Sequence, residues 1–219
     1  SKYTKPLSQS NVLLIGEFAA ATEALLSKYL ADRAKRIAFI EVLLTRYYKP
    51  GVDFIRVSCY SAGKLERSFK YGHRWEFLLR SSKTRKVFLY ALTLLYLVMS
   101  LLRVGGKFDI CIACNVPFPL VGLMLRRLRL TQKVIFISVV HPHQIRLFRL
   151  ADKIALNSCD AIWYQTTRME KIKQEEGFIK NHNIPKILVP IGVDLRNQEI
   201  LNQQIDRTSI DMLAGWIMT

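Results

Sequence analysis

Acidic residues are scarce in this chain: 17 Asp and Glu stand against 33 Lys and Arg, giving a formal net charge of +16 over 219 residues. An excess of that size points to an anionic partner: phosphate groups, an anionic bilayer or nucleic acid. Glycine is thin as well, with ten residues in all and no G-x-G-x-x-G string. That argues against a dinucleotide dehydrogenase, whose phosphate-binding turn needs glycines so that backbone N–H groups can approach the anion. The four cysteines imply no disulfide framework, which points to a reducing compartment. The first residues are polar and show no secretory signal, and there is no internal repeat or low-complexity linker. No RNP string, zinc spacing or basic helix with interleaved aromatics is visible, which sets nucleic acid aside as the partner.

What the chain does have is a core's worth of apolar residues, half of its composition. It is therefore a folded protein with one large domain, or one domain and a fragment. The charge is clustered. Lys64 to Lys107 holds ten basic residues against Glu66 and Glu76, and Arg126 to Arg149 holds six with no acid, so the two stretches supply 14 of the 16 net charges. Cys111 and Cys114 form a C-x-x-C, but they sit in FDICIAC, which reads as a buried strand. Positions i and i+3 of a strand point to opposite faces, so the pair reads as apolar packing and no metal is expected.

The apolar run Val87–Leu102 is flanked by Lys83, Arg85 and Lys86 before it and Arg103 after it. As a helix, its sixteen residues would span about 24 Å at about 1.5 Å each, short of a bilayer core of about 30 Å. Thr93 and Ser100 interrupt it. A helix apolar on every side belongs in a core or partly in a membrane interface.

Short apolar runs alternate with longer helical ones. Strands are expected at Val12–Ile15, Phe54–Cys59, Phe108–Cys114, Lys133–Val140, Ala161–Tyr164 and Lys186–Val189, with Ile37–Leu44 open between strand and helix. Helices are expected at Ala19–Ala31, Val87–Arg103, Pro117–Arg129, Gln144–Asn157 and Thr166–Glu176. Continuous apolar strands alternating with helices indicate a doubly wound α/β domain whose mostly parallel sheet is covered on both faces. Ligands bind such sheets beyond the carboxyl ends of the strands. That directs attention to Gly16 and Glu17, Tyr60 to Gly63, Asn115 to Pro117, His141 to His143, Gln165 to Arg168, and Gly192 to Asp194.

The most specific string runs from Cys159 to Asp194: C-D-A-I-W-Y-Q-T-T-R-M, a charged helix, then K-I-L-V-P-I-G-V-D. It resembles the end of the N-terminal domain in glycosyltransferases of family four and its relatives, with Ile191 where those proteins usually carry Asn. The resemblance implies a Rossmann-like fold that is the N-terminal, acceptor-side half of a GT-B glycosyltransferase. It implies residues 1–205 as the acceptor-binding domain and 206–219 as a linker and the first strand of an absent donor-binding domain. A nucleotide-sugar donor would bind in that second domain, so this chain alone would hold no cofactor and transfer no sugar. A separate catalytic chain could supply the missing half, this chain then serving as a non-catalytic, membrane-recruiting subunit.

In the family, the segment after the strand KVIFISVV presents a His or Asp toward the reacting sugar. His141 occupies that place here, and imidazole can shuttle a proton near neutral pH. H-P-H also suggests a metal pair, but no third ligand is evident nearby. Gly16, Glu17, Asn115, Thr166 and Arg168 follow strands and are expected to line the acceptor cleft. Arg146 and Arg149, one helical turn apart, suit the phosphate of a lipid-linked acceptor. Gly192 and Asp194 form the interdomain turn. The expected partners are therefore a glycan or lipid-phosphate acceptor and an anionic membrane, with the protein peripheral to its cytoplasmic face.

Overall fold

A computed structural model describes residues 6–17, 30–42, 55–71, 83–139 and 146–188. The strands are β1 (Asn11–Gly16), β2 (Arg36–Val42), β3 (Ile55–Ser61), β4 (Lys64–Tyr71), β5 (Phe108–Cys114), β6 (Thr131–Ser138), β7 (Ala161–Tyr164) and β8 (Lys186–Leu188). The helices are α1 (Lys83–Val104), α2 (Phe118–Arg127), α3 (Arg146–Ser158) and α4 (Thr167–Glu175). Of the helix expected over Ala19–Ala31, only Leu30 and Ala31 are described. His141 to His143, Gly192, Asp194 and residues 206–219 lie outside the described residues.

The strands form one sheet in the order β4-β3-β2-β1-β5-β6-β7-β8. From β2 through β8 every pairing in that order is parallel, which makes the protein a doubly wound α/β domain. Alternation along each strand divides its side chains between two cores. On β1, Leu13 and Ile15 enter one core, while Val12 and Leu14 enter the other. Helices α1 to α4 contribute Leu97, Leu125, Ala155 and Met169 to the first core, and Leu7, Leu30 and Ala34 close the second. Strands β5 and β6 are central, and their apolar stretches, residues 110–114 and 134–137, are buried, with only Gln132 and Lys133 at the start of β6 reaching solvent. Cys111 lies in the first core and Cys114 in the second, so the C-x-x-C pair is divided between the two faces of β5. Burial pushes both thiols up, and Cys159 to about 12.

One expectation about direction is corrected. Strand β3 runs antiparallel to β2, and Ser61 pairs with Arg36 at the start of β2. Residues Tyr60 to Gly63 therefore sit at the amino end of the parallel strands, opposite the ligand-binding end. The segment is a hairpin into β4, a strand the sequence reading passed over. KLERSFKY is charged and exposed, because it forms the sheet's edge and has no apolar run to announce it. Of the ambiguous segment Ile37–Leu44, residues 37–42 resolve as strand β2, and 43 and 44 lie outside the described residues.

Two aspartates fasten the amino end. Asp109 at the start of β5 accepts hydrogen bonds from the Asn11 N–H of β1 at 2.7 Å and from Gln132 Nε2 of β6 at 3.2 Å. Asp160, just before β7, accepts from the Val134 N–H of β6 and from Arg126 Nη1 of α2, each at 2.7 Å. Arg126, one of the clustered basic residues, also donates to the Ser158 carbonyl at 2.9 Å. The aspartate of the D-A-I-W-Y string is thus a structural clamp between neighbouring strands. Arg36 plays a comparable part at the end of α1, donating to the Val104 and Gly105 carbonyls at 2.6 and 3.2 Å.

Candidate functional site

The strand order reverses between β1 and β5. The chain leaves β1 for β2 on one side, and after β5 it proceeds through β6 and β7 on the other. Divergent connections open a crevice at the carboxyl ends of these two strands. Gly16 ends β1 opposite Cys114, and Asn115 follows β5 directly. Gly16 has φ 143°, and a Cβ there would lie 2.2 Å from the Cys114 carbonyl oxygen. Only glycine allows the two strand ends to come this close.

Asn115 holds the left-handed backbone conformation, φ 62°, which asparagine tolerates better than most residues. Its N–H donates to the Ile137 carbonyl at 3.2 Å, and its Nδ2 makes a long 3.5 Å contact to the Glu17 carbonyl. The side-chain Oδ1 is buried and has no hydrogen-bond partner among the described residues. A buried amide oxygen left unmatched costs about 1–3 kcal/mol, so it needs an explanation. The start of α2 beside it offers an anion little. The Phe118 N–H donates to the Asn115 carbonyl, Pro119 has no N–H, and the Leu120 N–H donates to the Pro117 carbonyl. The unmatched group here is a hydrogen-bond acceptor, and it is buried.

Behind Asn115 lies a buried polar cluster that the sequence reading missed. Lys173 Nζ donates to Asp152 Oδ1 and Oδ2 at 2.9 and 2.7 Å and to Ser138 Oγ at 2.7 Å. Lysine and aspartate are each 1% exposed. All three ammonium hydrogens are used, and the Phe136 ring lies 5.6 Å away. Burial pulls the Lys173 pKa down, while the charge of Asp152 and its hydrogen bonds push it back up. Tyr164, beside Ser138 in register, carries a buried hydroxyl with no partner among the described residues. Burial pushes its pKa well up, with Glu170 and Asp152 adding to the shift. Asn115, Phe136, Ser138, Asp152 and Lys173 line one narrow crevice with no room for a water molecule. The missed signal was a charge at an apolar helical position: Asp152 lies between Ala151 and Ala155, and Lys173 lies one turn after Met169.

Of the expected site residues, Gly16, Glu17 and Asn115 come together at the switch point. Thr166 lies after β7 and caps α4, its Oγ1 accepting from the Met169 N–H at 3.2 Å. Arg168 is exposed on the first turn of α4, and Arg146 is exposed where α3 begins. Arg149 pairs with Glu176 at 3.4 Å, and its guanidinium lies 5.3 Å from the centre of the Phe178 ring. His141, Gly192 and Asp194 are outside the described residues. Among the described residues, no cluster of three or more His, Cys, Asp or Glu side chains could hold a metal ion. No protein-family model matches the chain, and no curated protein matches it.

Proposed function

We propose that the chain is the acceptor-side half of a GT-B glycosyltransferase working at a membrane surface, in which a sugar passes from a nucleotide-sugar donor to a glycan or lipid-linked acceptor. The Cys159–Asp194 string suggests the family, and the switch-point crevice is the place in such a fold where an acceptor would enter. The observation that carries the reading is the unmatched Oδ1 of Asn115 at that crevice. The oxygen is buried in this structure, so a sugar hydroxyl would donate to it only where a bound acceptor widens the crevice. Transfer requires an acceptor oxygen to lose its proton as it bonds to the anomeric carbon and the nucleoside diphosphate departs. His141, after β6, is the proposed proton acceptor. The donor would bind in a second domain, in the same polypeptide or a separate chain.

The test uses the enzyme with both halves present, assayed for nucleoside diphosphate release. His141→Ala is expected to lower turnover by about 10²–10⁴-fold, with no shift in Tm. Asn115→Ala should raise the acceptor KM about two- to tenfold, the range of one neutral hydrogen bond. Wild-type turnover in the histidine variant would make His141 structural. An unchanged KM in the asparagine variant would remove Asn115 from the acceptor site.

A further inference from the structure

Helix α1 is amphipathic in the wrong sense for a surface helix in water. Where its side chains are described, the face against the sheet carries Thr93, Leu97, Ser100 and Val104, all buried, with Ser100 Oγ donating to the Tyr96 carbonyl at 2.7 Å. The outward face carries Leu94, Leu95, Val98, Met99 and Leu102, which are 42 to 77% exposed. At about 100° per residue these five side chains occupy one continuous arc, about 140° wide and about 12 Å long. The two polar residues point inward and the apolar ones point to solvent. A water-facing helix has the reverse arrangement, and a continuous exposed apolar patch marks an interaction surface.

Its surroundings identify the partner. Strand β4 lies alongside: Tyr71 stacks on Tyr96 with centroids 5.1 Å apart, and Arg103 lies 4.4 Å over the Phe69 ring. Arg67, which pairs with Cys59 and so shares the α1 side of the sheet, is exposed on the same flank. Lys107 is exposed just past the helix end, and the helix begins with Lys83, Arg85 and Lys86 in sequence. Among the described residues, no helix is long and apolar enough to cross a membrane. A helix with a leucine-rich outer arc and a basic rim suits lying in the headgroup region of an anionic bilayer.

We infer that the outward face of α1, rimmed by Arg67, Arg103 and Lys107, docks the protein on anionic phospholipid, with Leu94, Val98 and Leu102 entering the interface. This rests on the membrane part of the function proposed above and is independent of its sugar chemistry. The test is co-sedimentation of the full 219-residue chain with vesicles of phosphatidylcholine containing a quarter phosphatidylglycerol, and with pure phosphatidylcholine. The wild type should pellet with the first and weakly with the second, and be partly released at 1 M salt, where the Debye length falls to about 3 Å. Val98→Ser/Leu102→Ser should lower partitioning at least tenfold while Tm holds, since both side chains already face solvent. Arg67→Gln/Arg103→Gln should lower it about tenfold on anionic vesicles and leave the weak neutral binding unchanged. Absence of wild-type binding overturns the inference, as does binding indifferent to Val98→Ser/Leu102→Ser. So does a wild-type dimer that this variant dissociates without any vesicle binding, which would make the face a protein interface. A chain that binds vesicles but supports no sugar transfer with a donor domain leaves the docking face assigned and removes the glycosyltransferase reading.

Discussion

Lys173→Ala should cost about 3–5 kcal/mol of stability, a large part of what holds a domain of this size folded. The lysine is 1% exposed and its ammonium contacts both oxygens of Asp152. Removing it leaves a carboxylate in the interior with no countercharge, which is the expensive half of any buried ion pair. Replacing both partners, Lys173→Met with Asp152→Leu, should restore most of the loss, because an apolar pair of similar volume has no charge to desolvate. Urea unfolding of the two variants and the wild type measures this. A single variant that unfolds at the wild-type midpoint would show that the pair is not formed in the folded protein. The cluster also fixes Ser138, the last residue of β6, so the single variant should disturb the neighbouring crevice as well as overall stability.

The second large effect is expected at Gly16. An alanine methyl there would meet three backbone atoms of residue 114: the carbonyl oxygen at 2.2 Å, the nitrogen at 2.9 Å and the carbonyl carbon at 3.0 Å. Side chains can turn aside, but two adjacent parallel strands cannot separate without losing their ladder. The backbone angle of 143° adds strain for any residue with a Cβ. Gly16→Ala should therefore lose at least about 3 kcal/mol and accumulate in the insoluble fraction on expression. Thermal melting of whatever soluble protein remains gives the number. A variant with wild-type Tm would mean that β1 and β5 do not meet this closely.

Much of the architecture could be read from the residues because β5, apolar but for Asp109, and β7 are short runs with clear punctuation. Phe108–Cys114 and Ala161–Tyr164 read as strands with the same bounds they have in the structure. Direction was harder. In β3, Ile55, Val57 and Cys59 alternate with more exposed neighbours, as in a strand with one face to solvent, and that pattern does not distinguish parallel from antiparallel pairing. Strand β4 was hidden because its residues are selected for being an edge, where charge is protective. At the candidate site, the strand ends were legible from topology alone. The Lys173–Asp152 pair was not, since its members are 21 residues apart on different helices and only packing brings them together. The inverted helix α1 shows a further limit. Apolar content located the helix but not the side that faces the sheet, because Thr93 and Ser100, residues that a hydropathy argument counts only as interruptions, lie on the buried side with Leu97 and Val104.

The two aspartate clamps give the sheet unequal ends in time as well as in space. At the amino end, the amide hydrogens of Asn11 and Val134 are held by carboxylates reaching across from adjacent strands. At the carboxyl end, Asn115 leaves an oxygen unmatched. The looseness is local to Asn115, because the Lys173 ammonium holds Ser138 and Asp152 at the same end. Deuterium should replace the Asn115 amide hydrogen, held by the Ile137 carbonyl at 3.2 Å, well before those of Val134, Ile137 and Ser138 inside β6. The backbone group that exchanges first then lies where a ligand would enter, and a bound acceptor would be felt as a slowing of that exchange.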